Sequence, residues 1–214
     1  VPISVFDYER NRNYRFLITL DNQINMYDSN GKIVTGFRPP LFESKIITSP
    51  VHIRIDGKDY IVIQLEDGNL KILDRRGKDR IIVNNKIQYS SNSIFSYLEH
   101  FTTTDKLGNL VKIDTKGNLI KENLNLSAEN SIDIVDDNLV YLNENRLTIK
   151  GITVELPFSR YSKPKIFIDS RTTLVSITDL TNNEIYLYRD NGELIDGFPI
   201  KGSSVIDLRD SDND

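Results

Sequence analysis

Two acidic stretches hold the side chains best placed for chemistry. Asp7-Tyr-Glu9-Arg-Asn11-Arg-Asn13 carries oxygen-bearing side chains at alternate positions, and at the other end Asp207 is followed by Asp210, Asp212 and Asp214. Such spacing can gather ligands around Ca²⁺, which takes roughly six to eight oxygens in a flexible loop. The same residue types also make ordinary solvated turns, and Arg10 and Arg12 set positive charge among the first group. His52 and His100 are the only histidines and have no HxH or HExxH spacing, so no zinc signature is present. Cysteine is absent, which excludes disulfides, thiolate ligands and thiol nucleophiles. No serine lies in a G-x-S-x-G elbow. Paired carboxylates such as Glu66-Asp67 and Asp136-Asp137 are too ordinary in an acidic chain to indicate glycoside hydrolysis. Tyr186 and Tyr188, with Tyr27 at the matching place of an earlier repeat, could stack a sugar or base; inter-sheet packing explains them equally. No catalytic residue and no organic cofactor are expected, and Ca²⁺ is the one ion these residues suggest.

The elements that position these residues are legible in 51–83. Four short strands, 52–55, 60–65, 69–74 and 79–83, are separated by Asp56-Gly57, Asp67-Gly68 and Arg75-Arg76-Gly77. Asp-Gly between apolar runs signals a hairpin, because glycine takes the positive φ of a twist-matched turn. The third strand and its turn recur as Ile24-Asn-Met-Tyr-Asp-Ser-Asn-Gly31, Leu70-Lys-Ile-Leu-Asp-Arg-Arg-Gly77, Leu110-Val-Lys-Ile-Asp-Thr-Lys-Gly117 and Ile185-Tyr-Leu-Tyr-Arg-Asp-Asn-Gly192, with a shortened copy at Leu147-Thr-Ile-Lys-Gly151. Successive glycines lie 46, 40, 34 and 41 residues apart, a spacing that suits blades of four strands. Each copy has a longer apolar strand upstream (14–20, 60–65, 100–105, 138–142, 173–177) and a fourth strand downstream (32–37, 79–83, 118–122, 152–156, 193–198). A short first strand ends in Asp7, Asp56, Glu99, Asp136 or Asp169. Those acids would line one rim as a funnel for a cation, glycan or basic peptide, or else shape the first turn by bonding the backbone. Tyr60-Ile-Val-Ile is continuously apolar, as a strand is when both faces are covered. Meanders stacked face to face provide that cover. The expected architecture is all-β, a β-propeller of four-stranded antiparallel meander blades. The repeats fall at about 1–50, 51–93, 94–130, 131–164 and 165–204, and 205–214 starts a sixth within one propeller domain or an arc of a larger one.

The run Ile185-Tyr-Leu-Tyr-Arg-Asp-Asn-Gly-Glu-Leu-Ile-Asp-Gly-Phe-Pro199, with a looser copy at Gly36-Phe37-Arg-Pro39, resembles quinoprotein-like and FG-GAP-like propeller repeats. The resemblance implies fold far more than activity, since propellers host many functions. FG-GAP-like repeats carry an Asp-x-Asp-x-Asp-Gly loop between their first two strands, which is what directs Ca²⁺ to Asp7, Glu9, Asn11 and Asn13 and to the 207–214 group. The chain departs from enzymatic quinoproteins in having no Trp and no Cys pair, so quinone binding is not implied.

Net charge is −4, from 27 Lys and Arg against 31 Asp and Glu, and no basic stripe stands out, so nucleic acid is not an expected partner. Apolar runs of four or five residues are too short to insert into a bilayer as a helix. The opening Val-Pro-Ile and the closing acidic run read as a segment of a longer protein. With cysteine absent, a periplasmic or extracellular setting is weakly favoured. The expected function is a non-catalytic binding or scaffolding region. It would present rim loops to a protein partner or to another domain of the same parent. The alternatives are a quinoprotein-like enzyme domain binding a small molecule or glycan, and a Ca²⁺-stabilised adhesion module.

Overall fold

The computed structural model describes residues 3–169 and 172–208. The chain divides into two compact units, Val1–Leu124 and Asn125–Asp214. The first unit holds three sheets. Blade 1 is β1 (Ile3–Phe6), β2 (Arg15–Leu20) and β3 (Gln23–Asp28). Blade 2 is β4 (Val51–Ile55), β5 (Lys58–Gln64), β6 (Leu70–Leu73) and β7 (Asp79–Ile82). Blade 3 is β8 (Phe95–Tyr97), β9 (His100–Thr104), β10 (Asn109–Ile113) and β11 (Leu119–Asn123). The second unit holds blade 4, with β12 (Ser131–Val135), β13 (Asn138–Asn143), β14 (Arg146–Ile149) and β15 (Ile152–Glu155). Blade 5 has β16 (Lys165–Asp169), β17 (Thr172–Asp179), β18 (Glu184–Arg189) and β19 (Ile200–Lys201). Every sheet is an antiparallel meander in chain order, and no helix occurs among the described residues. The fold is all-β, of propeller blades, as the hairpin repeats require.

Turn chemistry sets the register. Asp56-Gly57, Leu98-Glu99, Asp136-Asp137 and Lys150-Gly151 are two-residue turns with both residues at positive φ. That geometry matches the right-handed twist of the flanking strands. The third turns of blades 1 to 3 are longer. Asp28, Asp74 and Asp114 each accept, through Oδ1, the backbone N–H groups two and four residues on, at 2.8–3.0 Å. Gly31, Gly77 and Gly117 close these turns by donating to the Asp carbonyl. In blade 5, Arg189 replaces the aspartate and Asn191 Oδ1 takes the Glu193 N–H.

In blade 2 the second strand is packed from both sides. In β5, Tyr60 and Val62 join Ile53, Ile72, Phe101 and Ile113 toward blade 3. Ile61, Ile63 and Leu65 join Leu17, Ile24 and Met26 toward blade 1. Alternate side chains point to opposite faces, so a continuous apolar run serves two cores at once. In the second unit, Val175, Ile177, Tyr186 and Tyr188 pack on Val140, Leu142, Leu147 and Ile149. Within the units, β8 lies beside β4 and β16 beside β12, so consecutive first strands are neighbours.

A three-part clamp ties the linkers in. Ile46, Tyr89 and Tyr161 form single bridges to Leu65, Asp105 and Asp179 at the ends of the second strands. Glu66, Lys106 and Leu180 donate their N–H groups to Lys45, Gln88 and Arg160, each at 2.8 Å.

Fourth strands differ from expectation in blades 1 and 5. The 32–37 segment keeps only the Tyr27–Ile33 bridge, because Phe37 N–H turns back to the Val34 carbonyl at 3.0 Å. The 193–198 segment makes the same turn, Phe198 to Ile195 at 3.1 Å, and the strand resumes only as β19. The segment 205–208, expected to start a sixth repeat, lies outside the named strands. It runs beside β16, whose Lys165 Nζ donates to the Ile206 carbonyl at 3.2 Å.

The third-turn glycines of blades 2, 3 and 5, Gly77, Gly117 and Gly192, also fit one blade to the next. A Cβ on Gly117 would lie 2.2 Å from the Ile82 carbonyl oxygen of β7, whereas one on Gly57 would meet nothing within 4 Å; both residues have positive φ. Gly57→Ala should therefore cost about 1 kcal/mol, from backbone conformation alone. Gly117→Ala should cost about 3 kcal/mol, because overpacking against backbone adds to that term. Urea titration of the two variants measures the difference.

Candidate functional site

The densest group of titratable and aromatic side chains joins blades 1 and 2. The Asp56-Gly57 turn pairs Ile55 with Lys58, which places His52, Arg54, Asp59 and Ile61 on the face of blade 2 turned to blade 1. Asp59 is 6% exposed, and its Oδ1 lies 2.8 Å from His52 Nε2. This bond needs the imidazole proton on Nε2. Arg75, in the β6–β7 turn, donates to Asp59 Oδ2 from Nε at 2.8 Å and also from Nη2. Its Nη1 reaches Glu9 Oε1 at 2.8 Å, in the loop after β1. The guanidinium stands 4.6 Å from the Tyr8 ring centre, and Tyr8 meets His52 edge-on at 4.9 Å. Arg54 Nη1 donates to the Tyr8 carbonyl at 3.3 Å.

The electrostatics follow from this crowding. Burial would raise the Asp59 carboxyl, but the hydrogen bonds from His52 and Arg75 and the Arg75 charge outweigh it and hold the group below the usual carboxylate range. Burial pushes the Tyr8 phenol well above its ordinary value, and its hydroxyl is buried without a hydrogen-bond partner among the described residues. A histidine oriented by an aspartate has the form of a general base with its orienting acid. Here the aspartate's oxygens are shared with Arg75, and the adjoining phenol is held protonated. The arrangement is chemically suited to fastening the 7–9 loop of blade 1 onto blade 2.

The other sequence-singled residues are dispersed. Asp7 accepts the N–H groups of Asn11 at 3.2 Å and Arg12 at 2.9 Å. Asn11 Oδ1 takes the Asn13 N–H at 3.0 Å, and Asn13 Oδ1 takes Arg15 Nη1 at 2.6 Å. Glu9 pairs with Arg75 instead of turning toward Asp7. Asp207 Oδ1 lies 3.3 Å from Lys165 Nζ, while Asp210, Asp212 and Asp214 fall outside the described residues. Among the described residues, no three His, Asp or Glu side chains converge at metal-binding separation. The recurring acids Asp56, Glu99 and Asp136 occupy positive-φ turn positions. His100 Nδ1 sits 2.5 Å from the Leu98 carbonyl oxygen, across its own turn. Tyr186 and Tyr188 stack with centroids 6.2 Å apart inside the blade 4–blade 5 core, and Phe37 is buried between blades 1 and 2.

Sequence reasoning missed Asp59 and Arg75. The hairpin register alone would have put His52 and Asp59 on one face, but the arginine arrives through two further turns. Two more buried acids were also missed. Asp105 is fully buried and accepts Lys121 Nζ at 2.8 Å and the Leu107 and Asn109 N–H groups at 3.0 Å. Asp179 accepts Ser159 Oγ and the Thr181 and Asn182 N–H groups; burial alone would raise its pKa, but these bonds hold it at about 2.

Solved structures that the chain resembles are propellers. It matches BBS1N in complex with ARL6DN at a TM-score of 0.63 and 17% identity, covering 94% of this chain and 68% of that one. BamB from Moraxella catarrhalis matches at 0.55 and 15%, covering 90% and 64%. The computationally designed Ika8 protein matches at 0.58 and 13%, covering 93% and 63%. The chain thus spans about two thirds of the length of these structures. No family model and no curated protein matches the chain. At these identities the likeness shows the fold.

Asp59→Asn should destabilise by about 3 kcal/mol in urea titration, since it breaks a buried charge network. Glu9→Gln, at the exposed end of the same arginine, should cost at most about 0.5 kcal/mol. For Asp179 the folded pKa lies below the unfolded value of about 3.9. Its stabilisation is therefore complete above pH ~4 and is lost as pH falls toward about 2. Thermal melts should show the deficit of Asp179→Asn at pH 7 shrinking over that acid window.

Proposed function

We propose that this chain is a non-catalytic propeller region of a larger, extracytoplasmic protein, and that it binds a protein through the rim where its blade linkers run. The observation that carries this reading is the set of exposed apolar side chains on that rim. In the first unit, Leu41 and Ile47 stand on the blade 1–blade 2 linker, and Leu107 stands in the β9–β10 turn. Meander alternation puts second-to-third turns and linkers at the same end of each blade. The hydrogen bonds of Phe42 to Asn22 and of Glu66 to Lys45 hold the linker against those turns. A rigid base with isolated apolar side chains on clamped loops suits recognition of a protein surface at low ordering cost.

Two further features support the reading. The clustered titratable groups are spent on ties between and within blades. A propeller with the same fold, BBS1N, was solved in complex with ARL6DN. The larger-protein part rests on the length of the matched propellers and on the quinoprotein-like and FG-GAP-like repeat pattern. The extracytoplasmic part rests on the absence of cysteine.

A photo-crosslinking residue placed at Leu41 or Leu107 in the native cell should give a discrete protein adduct. The same probe at Asn30, in a third turn at the opposite end, should give none. Equal labelling from all three positions, or none from Leu41 and Leu107, would overturn the rim assignment.

A further inference from the structure

We propose that the outer face of blade 1 is a socket for one further meander blade, supplied by polypeptide of the same protein outside these 214 residues. The register shows what this face is. Aligning the third turns at Asp28 and Asp74 makes Phe16, Ile18, Leu20 and Tyr27 of blade 1 equivalent to Ile61, Ile63, Leu65 and Leu73 of blade 2. The blade 2 residues are 0%, 0%, 1% and 0% exposed, because blade 1 covers them. The same positions of blade 3 include Phe101 and Ile113, covered by blade 2. Those of blade 5 include Val175, Ile177 and Tyr188, covered by blade 4.

In blade 1 the same positions lie open. Leu20 is 60% exposed, and Phe16, Ile18 and Tyr27 are half-buried. Ile3 and Val5, paired across the sheet with Ile18 and Phe16, are 58% and 55% exposed. Five of these six side chains form two adjoining cross-strand rows, Ile3–Ile18 and Val5–Phe16–Tyr27, and Leu20 follows Ile18 on the same face, an apolar patch of the kind that marks an interface.

The glycines give an independent sign. A Cβ on Gly77 would strike Pro39, one on Gly117 would strike Ile82, and one on Gly192 would touch Ile152 and Val154. In the longer third turns of blades 2, 3 and 5 the glycine thus seats on the outer segment of the preceding blade, whereas Gly151, in the two-residue third turn of blade 4, meets nothing within 4 Å among the described residues. Gly31 is the equivalent residue of blade 1, with φ +73°, and nothing among the described residues lies within 4 Å of its Cβ position. Both the sheet face and the turn of blade 1 are shaped for a preceding blade. The occupant is specified by the three interfaces already described. It presents Val, Leu, Ile or Met on alternate positions of its second and third strands, and it lays its outer strand against Gly31. The longer solved propellers leave room for such a blade.

The chain contains no cysteine, so single-cysteine variants report directly on cover. Maleimide labelling of Val5→Cys should be fast in the 214-residue chain and slower, on the order of tenfold or more, in the natural longer protein. Ile82→Cys, on an outer strand edge, should label equally fast in both. Gly31→Ala should lower the melting temperature more in the longer protein than in the 214-residue chain. Three outcomes would overturn the proposal. One is equally fast labelling of Val5→Cys in the longer protein. Another is protection already complete in dilute monomeric 214-residue chain. The third is protection that grows with concentration alongside dimer formation, which would make a second copy the occupant. None of these readouts depends on the linker rim, so failure here leaves the rim assignment standing.

Discussion

Burial of both faces of the second strand is the constraint on which the rest depends. β5 cannot be satisfied by its own sheet: Ile61 and Ile63 look one way, Tyr60 and Val62 the other, and all four are buried. Fully burying side chains of this kind contributes about 2 kcal/mol each. A meander standing alone would leave half of that unrealised, so each blade is stable only in company. Position by position, the same requirement recurs in β9 and β17, which is why blades of different sequence stack with one register.

Face-to-face stacking then dictates what the turns can be. Where one blade's turn seats on its neighbour, the closing residue must be glycine, for room as well as for φ. Where the turn stands free, Leu98-Glu99 and Asp136-Asp137 manage positive φ without glycine. The aspartates repeated along the chain serve these same turns by accepting backbone N–H groups. Of the acids singled out in sequence, Asp7 serves its loop in this way, while Glu9 pairs with Arg75 and Asp207 lies beside Lys165. Among the described residues the buried acids are matched, as at Asp59 between His52 and Arg75, or at Asp179 by its own turn and Ser159.

Much of this was legible in the residues. Asp56-Gly57 and Arg75-Arg76-Gly77 announced their turns, and the unbroken apolar run 60–63 announced cover on two sides. The misses have physical causes. The fourth strands of blades 1 and 5 were expected through Val34-Thr-Gly-Phe37 and Ile195-Asp-Gly-Phe198, where an apolar pattern continues while the backbone folds into a tight turn. The side-chain oxygens of Asn11 and Asn13 take bonds, from Asn13 N–H and from Arg15, that no sequence pattern shows because they are made only in the folded loop. The Glu9–Arg75 bond spans 66 residues and depends on two blades having already met, so no local pattern could carry it.

Function in such a fold falls to what stacking leaves over: linkers, rim turns and any blade face not yet covered. All of these rest on the second strands being the protected centre of each blade. Backbone hydrogen exchange tests that directly. Amides of β5 and β9 should exchange slowest in the first unit, at the rate of global unfolding, while those of β7 and β11 should exchange markedly faster through local fraying. Protection of β7 and β11 equal to that of β5 and β9 would contradict the account.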